Sequence, residues 1–268
     1  MEENPWKDLE PSKGLYISSK DEASIEKLQT RLGGKKEYEL HLDLLPEPFI
    51  GNPSAPIYLL NLNPGYNKKN EAEMPIIRDY IIKNNKHDKS MEYPFYYLIT
   101  EKFDPKVAAI KGSEWWQSKL SQLKKEVGDQ QKLSKNIFCI EYFPYHSMKY
   151  KDCKEIGKLP SQKYVRYLIE KAINNEKNNE NKIFIIMRSL KKWLGLEELR
   201  SGLYKLQKSN RIFFCSNYQN PAISFNNLKE LKLSLADIES SSTKDIYKND
   251  KNKKIKEGRY LEIIKMIK

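Results

Sequence analysis

Three polar stretches close apolar runs in this chain, and each carries side chains able to hold a ligand. Ile57-Tyr58-Leu59-Leu60-Asn61-Leu62 breaks into Asn63-Pro64-Gly65-Tyr66-Asn67. Ile137-Phe138-Cys139-Ile140 ends at Glu141, with Tyr142 next in line. Ile212-Phe213-Phe214-Cys215-Ser216 leads into Asn217-Tyr218-Gln219-Asn220-Pro221-Ala222-Ile223-Ser224. The amides of Asn63 and Asn220 donate and accept hydrogen bonds, whereas an ionised Glu141 only accepts. A charge at the end of an apolar strand is costly unless it is paired, solvated or used. Asparagine amides beside proline also build turns, and that role competes with a functional one at Asn63 and Asn220. In the first loop Pro64 fixes φ, and Gly65 is expected to take a backbone shape that other residues avoid.

The elements that position these stretches read as alternating helices and strands. Residues 21–32 place Ile25, Leu28 and Leu32 at helical spacing behind Asp21 as a cap, and Gly33-Gly34 stops the helix. Leu40 to Gly51 is an extended, proline-punctuated approach, in which His41 reads as a surface strand residue rather than a ligand. The run Ile57–Leu62, preceded by Pro56, reads as a buried strand. Residues 71–85 read as a helix burying Ile76, Ile77, Tyr80 and Ile81, and Gly112 opens an amphipathic helix facing Trp116, Leu120 and Leu123 inward. The aromatic cluster Tyr93 to Tyr97 with Trp115-Trp116 fits either core packing or a platform for stacked bases. Further strands fall at Asn136–Ser147, Lys182–Arg188 and Arg211–Ser216, with a helix near Ser161–Asn174 and a solvated link at Glu176–Asn181. The tail is polar until Arg259–Ile267, where Leu261, Ile264 and Ile267 are spaced to dock a last helix. Strands separated by helices imply an α/β chain, three-layer α/β/α with a central four-stranded, mainly parallel sheet.

At 268 residues the expectation is one domain over 1–268, with a core at about 45–228 and helical extensions at both ends. The net charge of +12 favours polyanionic partners such as nucleic acid or an anionic membrane surface. Lys251, Lys253, Lys254 and Lys256 form a solvated basic face, or a phosphate-tracking one. No apolar run of about 18 residues and no signal-peptide pattern is present, so a cytoplasmic protein without membrane contact is expected. Cys139, Cys153 and Cys215 lack paired spacing for zinc and cannot supply four ligands to an iron–sulfur cluster. The site is therefore expected to be free of metal and cofactor.

Taken together, the three strand ends resemble the uracil-DNA glycosylase superfamily. Leu62-Asn63-Pro64-Gly65 is similar to its first, water-positioning motif in the Asn-Pro-Gly form. Asn220-Pro221-Ala222-Ile223-Ser224 is similar to its second motif, and Ile137–Phe143 occupies the place of the strand that carries the base-reading residue. The resemblance covers roughly residues 45–228. It implies a metal-free DNA glycosylase, acting on duplex or single-stranded DNA, that flips a base and leaves an abasic site. Asn63 would hold the water and Asn220 would donate to the base carbonyl. Glu141, Gly65, Tyr66 and Tyr142 would contact the base, while Pro221, Ala222 and Ser224 would press on the strand. No lysine sits inside these motifs, which implies hydrolysis without a Schiff base.

Two departures bear on the substrate. Where relatives carry an asparagine that reads uracil, the aligned residue here is Glu141, whose carboxylate suits an amino group and repels a bare carbonyl. Where efficient uracil enzymes carry a tyrosine after the motif proline, Gly65 leaves space beside carbon 5 of the base. Both point to a cytosine-like, 5-modified pyrimidine. The competing expectations are a non-catalytic nucleic-acid-binding protein of the same fold, and a small-molecule nucleotide enzyme, disfavoured by the lack of a glycine-rich phosphate loop.

Overall fold

The computed structural model describes residues 2–151, 153, 159–174 and 182–268; the link expected at Glu176–Asn181 lies outside them. In chain order the elements are α1 (Glu22–Leu32), β1 (Leu40–His41), β2 (Phe49–Gly51), β3 (Ile57–Asn61), α2 (Lys69–Asn85), α3 (Pro105–Ala108), α4 (Lys111–Lys119), α5 (Ser121–Val127) and α6 (Gln130–Asn136). Then follow β4 (Ile137–Glu141), β5 (His146–Ser147), α7 (Gln162–Asn174), β6 (Ile183–Ile186), α8 (Leu190–Leu194), α9 (Glu197–Lys208), β7 (Ile212–Cys215), β8 (Leu228–Glu230), α10 (Leu235–Ser240), α11 (Thr243–Lys248) and α12 (Glu257–Ile267).

The chain is mixed α/β, and its main sheet has six strands, not four, in the order β2-β4-β3-β6-β7-β8. The inner four, β4-β3-β6-β7, run parallel, and β2 and β8 add antiparallel edges. The inner strands are uninterrupted apolar runs because both faces are covered. Tyr58, Leu60, Phe138, Phe184 and Phe214 pack on one face against α1, α7, α8 and α9. Ile57, Leu59, Cys139, Ile185 and Phe213 pack on the other against α2, α4, α5 and α12. The edge strands escaped the sequence reading because three residues carry too little periodicity to distinguish a strand from a loop.

Several local expectations change. Asp21 stands at the start of α1, but its buried carboxylate makes no cap; it accepts from Tyr145 and Ser161 instead. In α2, Ile77 and Ile81 are buried while Ile76 is exposed, and Met74 takes its place. The helix expected from Gly112 is broken at Leu120 into α4 and α5, with Trp116, Leu120 and Leu123 buried as expected. In α12 Ile264 and Ile267 dock with Ile263, whereas Leu261 is exposed. Gly65 is absent from the residues with positive φ, so its backbone is one that any residue adopts. No described helix is long and apolar enough to cross a membrane.

Candidate active site at the carboxyl edge of the sheet

Because β3, β4, β6 and β7 are parallel, Asn63, Glu141, Arg188 and Asn220 all leave the sheet at one edge. The chain passes from β3 to β4 on one side and from β6 to β7 on the other, which opens a crevice beyond the ends of β3 and β6. A cavity of about 480 Å³ lies there, lined by Asn61, Asn63, Pro64, Gly65, Tyr66, Glu141, Glu47, Tyr97, Trp115, His146 and Arg188 among others.

The Asn63-Pro64-Gly65 loop is held from β5. Gly65 bridges Ser147, and the Tyr66 N–H donates to the Ser147 carbonyl at 3.2 Å. Strand β5 is itself paired with β1, where half-buried His41 stacks on the Tyr66 ring. The Asn63 Nδ2 donates to the Pro64 carbonyl and to Ser147 Oγ, each at 3.0 Å. Both of its protons are thereby committed, which leaves Oδ1 as the acceptor of a side chain lining the cavity. An acceptor fixed in this way can take one hydrogen of a water and orient its lone pair.

Glu141 is the end of β4 and is 2 % exposed. Its Oε1 accepts from Asn61 Nδ2 at 2.9 Å, while Oε2 has no partner among the described residues. Burial pushes its carboxyl up to about 8, against the opposing hydrogen bond from Asn61; Glu47 adds to the rise and Arg188 opposes it. Near neutral pH the group is largely a carboxylic acid, which donates as well as accepts. Asn61 Oδ1 and Arg188 Nε are also buried without partners, so three unsatisfied polar atoms belong to residues lining one cavity. Native interiors seldom leave such groups unpaired.

A second buried carboxylate, Glu47, is fully engaged. Tyr96 donates to Oε2 at 2.6 Å, Tyr97 donates at 2.9 Å, and His146 Nε2 lies 3.4 Å from Oε1. The other ring nitrogen of His146 is 3.1 Å from the Gly65 carbonyl, and Nε2 is also 3.0 Å from the Leu45 carbonyl. Each ring nitrogen of His146 thus faces a backbone carbonyl, with the Glu47 carboxyl group beside Nε2. This chain ties the loop to the floor of the site.

Of the residues singled out from sequence, Asn63, Gly65, Tyr66 and Glu141 converge on the cavity. Tyr142 does not: it lies on the opposite face of the sheet, edge-on to Trp193 at 5.3 Å. Asn220 is exposed outside the lining, its Oδ1 accepting from Lys119 Nζ at 2.6 Å. Pro221 is buried and Ala222 and Ser224 are half-buried in the same loop, which meets α4 through the Ile223 N–H on the Lys119 carbonyl. Most of the aromatic cluster is core, with Phe95, Tyr96, Tyr97 and Trp116 buried, but Trp115 is half-buried on the cavity wall. Gly112 lets α4 approach that wall, since a Cβ there would lie 2.3 Å from the Tyr97 ring.

Glu47, Asn61, His146 and Arg188 were missed. Glu47 and Arg188 carry the signal that exposed Glu141, a charge inside or at the end of an apolar run. His146 carries none, because its meaning comes from partners 81 and 101 residues away. Among the described residues no group of three His, Cys, Asp or Glu side chains is arranged to hold a metal. Comparison with protein-family models, with curated proteins and with solved structures gives no match.

Proposed function

We propose that the chain is a DNA glycosylase of the uracil-DNA glycosylase superfamily, hydrolysing the N-glycosidic bond of a flipped, modified pyrimidine to leave an abasic site. The observation that carries this reading is the unpartnered, buried Oε2 of Glu141 in the cavity that Asn63 also lines. Base hydrolysis passes through an oxocarbenium-like sugar, so it needs a positioned water and donors for the leaving base more than a strong nucleophile. Asn63 Oδ1 holds the water, and Arg188 and Lys111, which both line the cavity, supply positive charge for the departing base. A pocket of about 480 Å³ has room for an extruded nucleotide. A Cβ at Gly65 meets nothing within 4 Å, which leaves space beside carbon 5 of the base.

The protonation of Glu141 sets the selectivity. As a carboxylate it only accepts and prefers the exocyclic amino group of a cytosine-like base; as an acid it also donates and tolerates a carbonyl. Preference for amino-bearing bases therefore sharpens as pH rises through about 8. The test is single-turnover excision from oligonucleotides carrying cytosine, 5-modified cytosine or uracil, between pH 6.5 and 9. Wild type is expected to release 5-modified cytosine, Gly65→Tyr to lose it while still binding DNA, and Glu141→Gln to lose the pH dependence of the preference. A preference for uracil that is the same at every pH and unchanged in Glu141→Gln sinks the assignment.

A non-catalytic nucleic-acid-binding protein of this fold is the second reading, favoured by Asn220 standing outside the cavity. No base released from any substrate, with binding intact, is its signature.

A further inference from the structure

Two cations lie against one aromatic ring of the cavity wall, that of Trp115. Arg188 Cζ and Lys119 Nζ each lie 5.4 Å from the centre of the Trp115 ring. Neither forms an ion pair with a carboxylate among the described residues; Lys119 has the neutral Asn220 Oδ1, and Arg188 Nε is buried without a partner. A neighbouring like charge disfavours the charged form, and burial adds to the cost. Both effects push the Lys119 ammonium below its usual range, burial first and then Arg188. Burial likewise lowers Arg188, with Glu141 opposing. Glu141, which opposes that lowering, is itself held above the usual carboxylate range by burial.

From this arrangement we propose that Arg188 and Lys119 together hold a phosphate group beside Trp115 on the cavity wall. A phosphate supplies several acceptor oxygens and enough charge for both cations, and guanidinium meets it through paired N–H donors. Asn220 then acts through Lys119, as a positioning residue that holds the ammonium over the ring. The proposal rests on the glycosylase reading for the base beneath, but the phosphate contact is testable without it. The phosphate can belong to a DNA strand or to a free nucleotide, and these are told apart by the probe.

The experiment measures binding by tryptophan emission and by anisotropy of a labelled oligonucleotide across a salt series. It uses wild type, Lys119→Gln, Arg188→Gln and the charge-keeping Arg188→Lys. With deoxycytidine 5′-monophosphate against deoxycytidine, the free-nucleotide source predicts tighter binding of the phosphorylated probe, lost by about tenfold in each Gln variant. With the oligonucleotide, the strand source predicts that each Gln variant lowers the slope of log affinity against log salt by about one. Arg188→Lys is expected to restore the slope in part, and Lys119→Gln, on the half-buried flank of α4, reports even if Arg188→Gln misfolds. Equal binding of both small probes together with unchanged slopes overturns the clasp. Lowered slopes with no base excised leave the clasp standing and remove the glycosylase reading. Excision with unchanged slopes and equal small-probe binding does the reverse.

Discussion

Glu141 shows what a single buried acid does to the stability of the chain. Its carboxyl is raised in the folded state from 4.5 to about 8, chiefly by burial. The native chain therefore keeps a proton there at pH values where the unfolded chain has lost it. Its contribution is fully present below about 4.5 and declines as pH rises toward about 8, where the cost is complete. Glu141→Gln removes this titration and keeps an acceptor for Asn61. Thermal melts should show little difference from wild type at pH 4.5 and a stabilised variant at pH 8.5, by on the order of 5 °C. A gap that does not widen with pH shows the native carboxylate to be ionised and compensated. The residue was legible as a misplaced charge at a strand end. That one of its oxygens is left without a partner while Glu47 nearby is engaged three times depends on Asn61, Tyr96, Tyr97 and His146, whose approach no local pattern encodes.

At the scale of elements, the two-residue strand β5 controls the loop that carries Asn63. Ser147 supplies both a carbonyl for Tyr66 and a hydroxyl for the Asn63 amide. Ser147→Ala removes only the hydroxyl, so the expected loss of stability is about 1 kcal/mol. The amide is then free to turn, and single-turnover excision should fall about tenfold, a barrier change of about 1.4 kcal/mol. In Asn63→Ala the same change should add nothing, since the two side chains act as a unit. Additive losses would place Ser147 in some other role. The core strands were readable as unbroken apolar runs, and the helices α2, α7 and α12 by apolar residues recurring at helical spacing. Strands β1, β2 and β5 were not, since two or three residues show no period and pair only through contacts distant in sequence.

The whole molecule depends on its C-terminal segment more than its polar composition suggests. Helix α12 buries Tyr260, Ile263, Ile264 and Ile267 on the face formed by α5 and α6, and Asn136 donates to the Ile267 carbonyl at 3.2 Å. Burying an apolar side chain of this size is worth about 1.5–3 kcal/mol, so the four together approach the entire net stability of a typical domain. A chain ending at residue 256 is expected to lose its cooperative urea transition and to bind a hydrophobic dye. A sharp transition at the wild-type midpoint would show α12 to be dispensable. The α/β class could be read from the order of strands and helices, but the number of strands could not, because both edges are built from the segments with the weakest signal.

The position of β3 at the centre of the sheet also has a cost during synthesis. Its neighbours are β4, beginning at Ile137, and β6, beginning at Ile183, so both edges of a fully apolar strand wait for sequence made much later. At roughly 5–20 residues per second, a ribosome that has just made residue 57 needs about 6–25 s to reach residue 183. Until β4 and β6 are made, Ile57, Tyr58, Leu59 and Leu60 lack their strand partners on the nascent chain and can pair with other exposed strands. Nascent chains of this protein therefore meet their greatest risk of aggregation before the parallel sheet exists, and a chaperone that shields extended apolar segments has its natural target there.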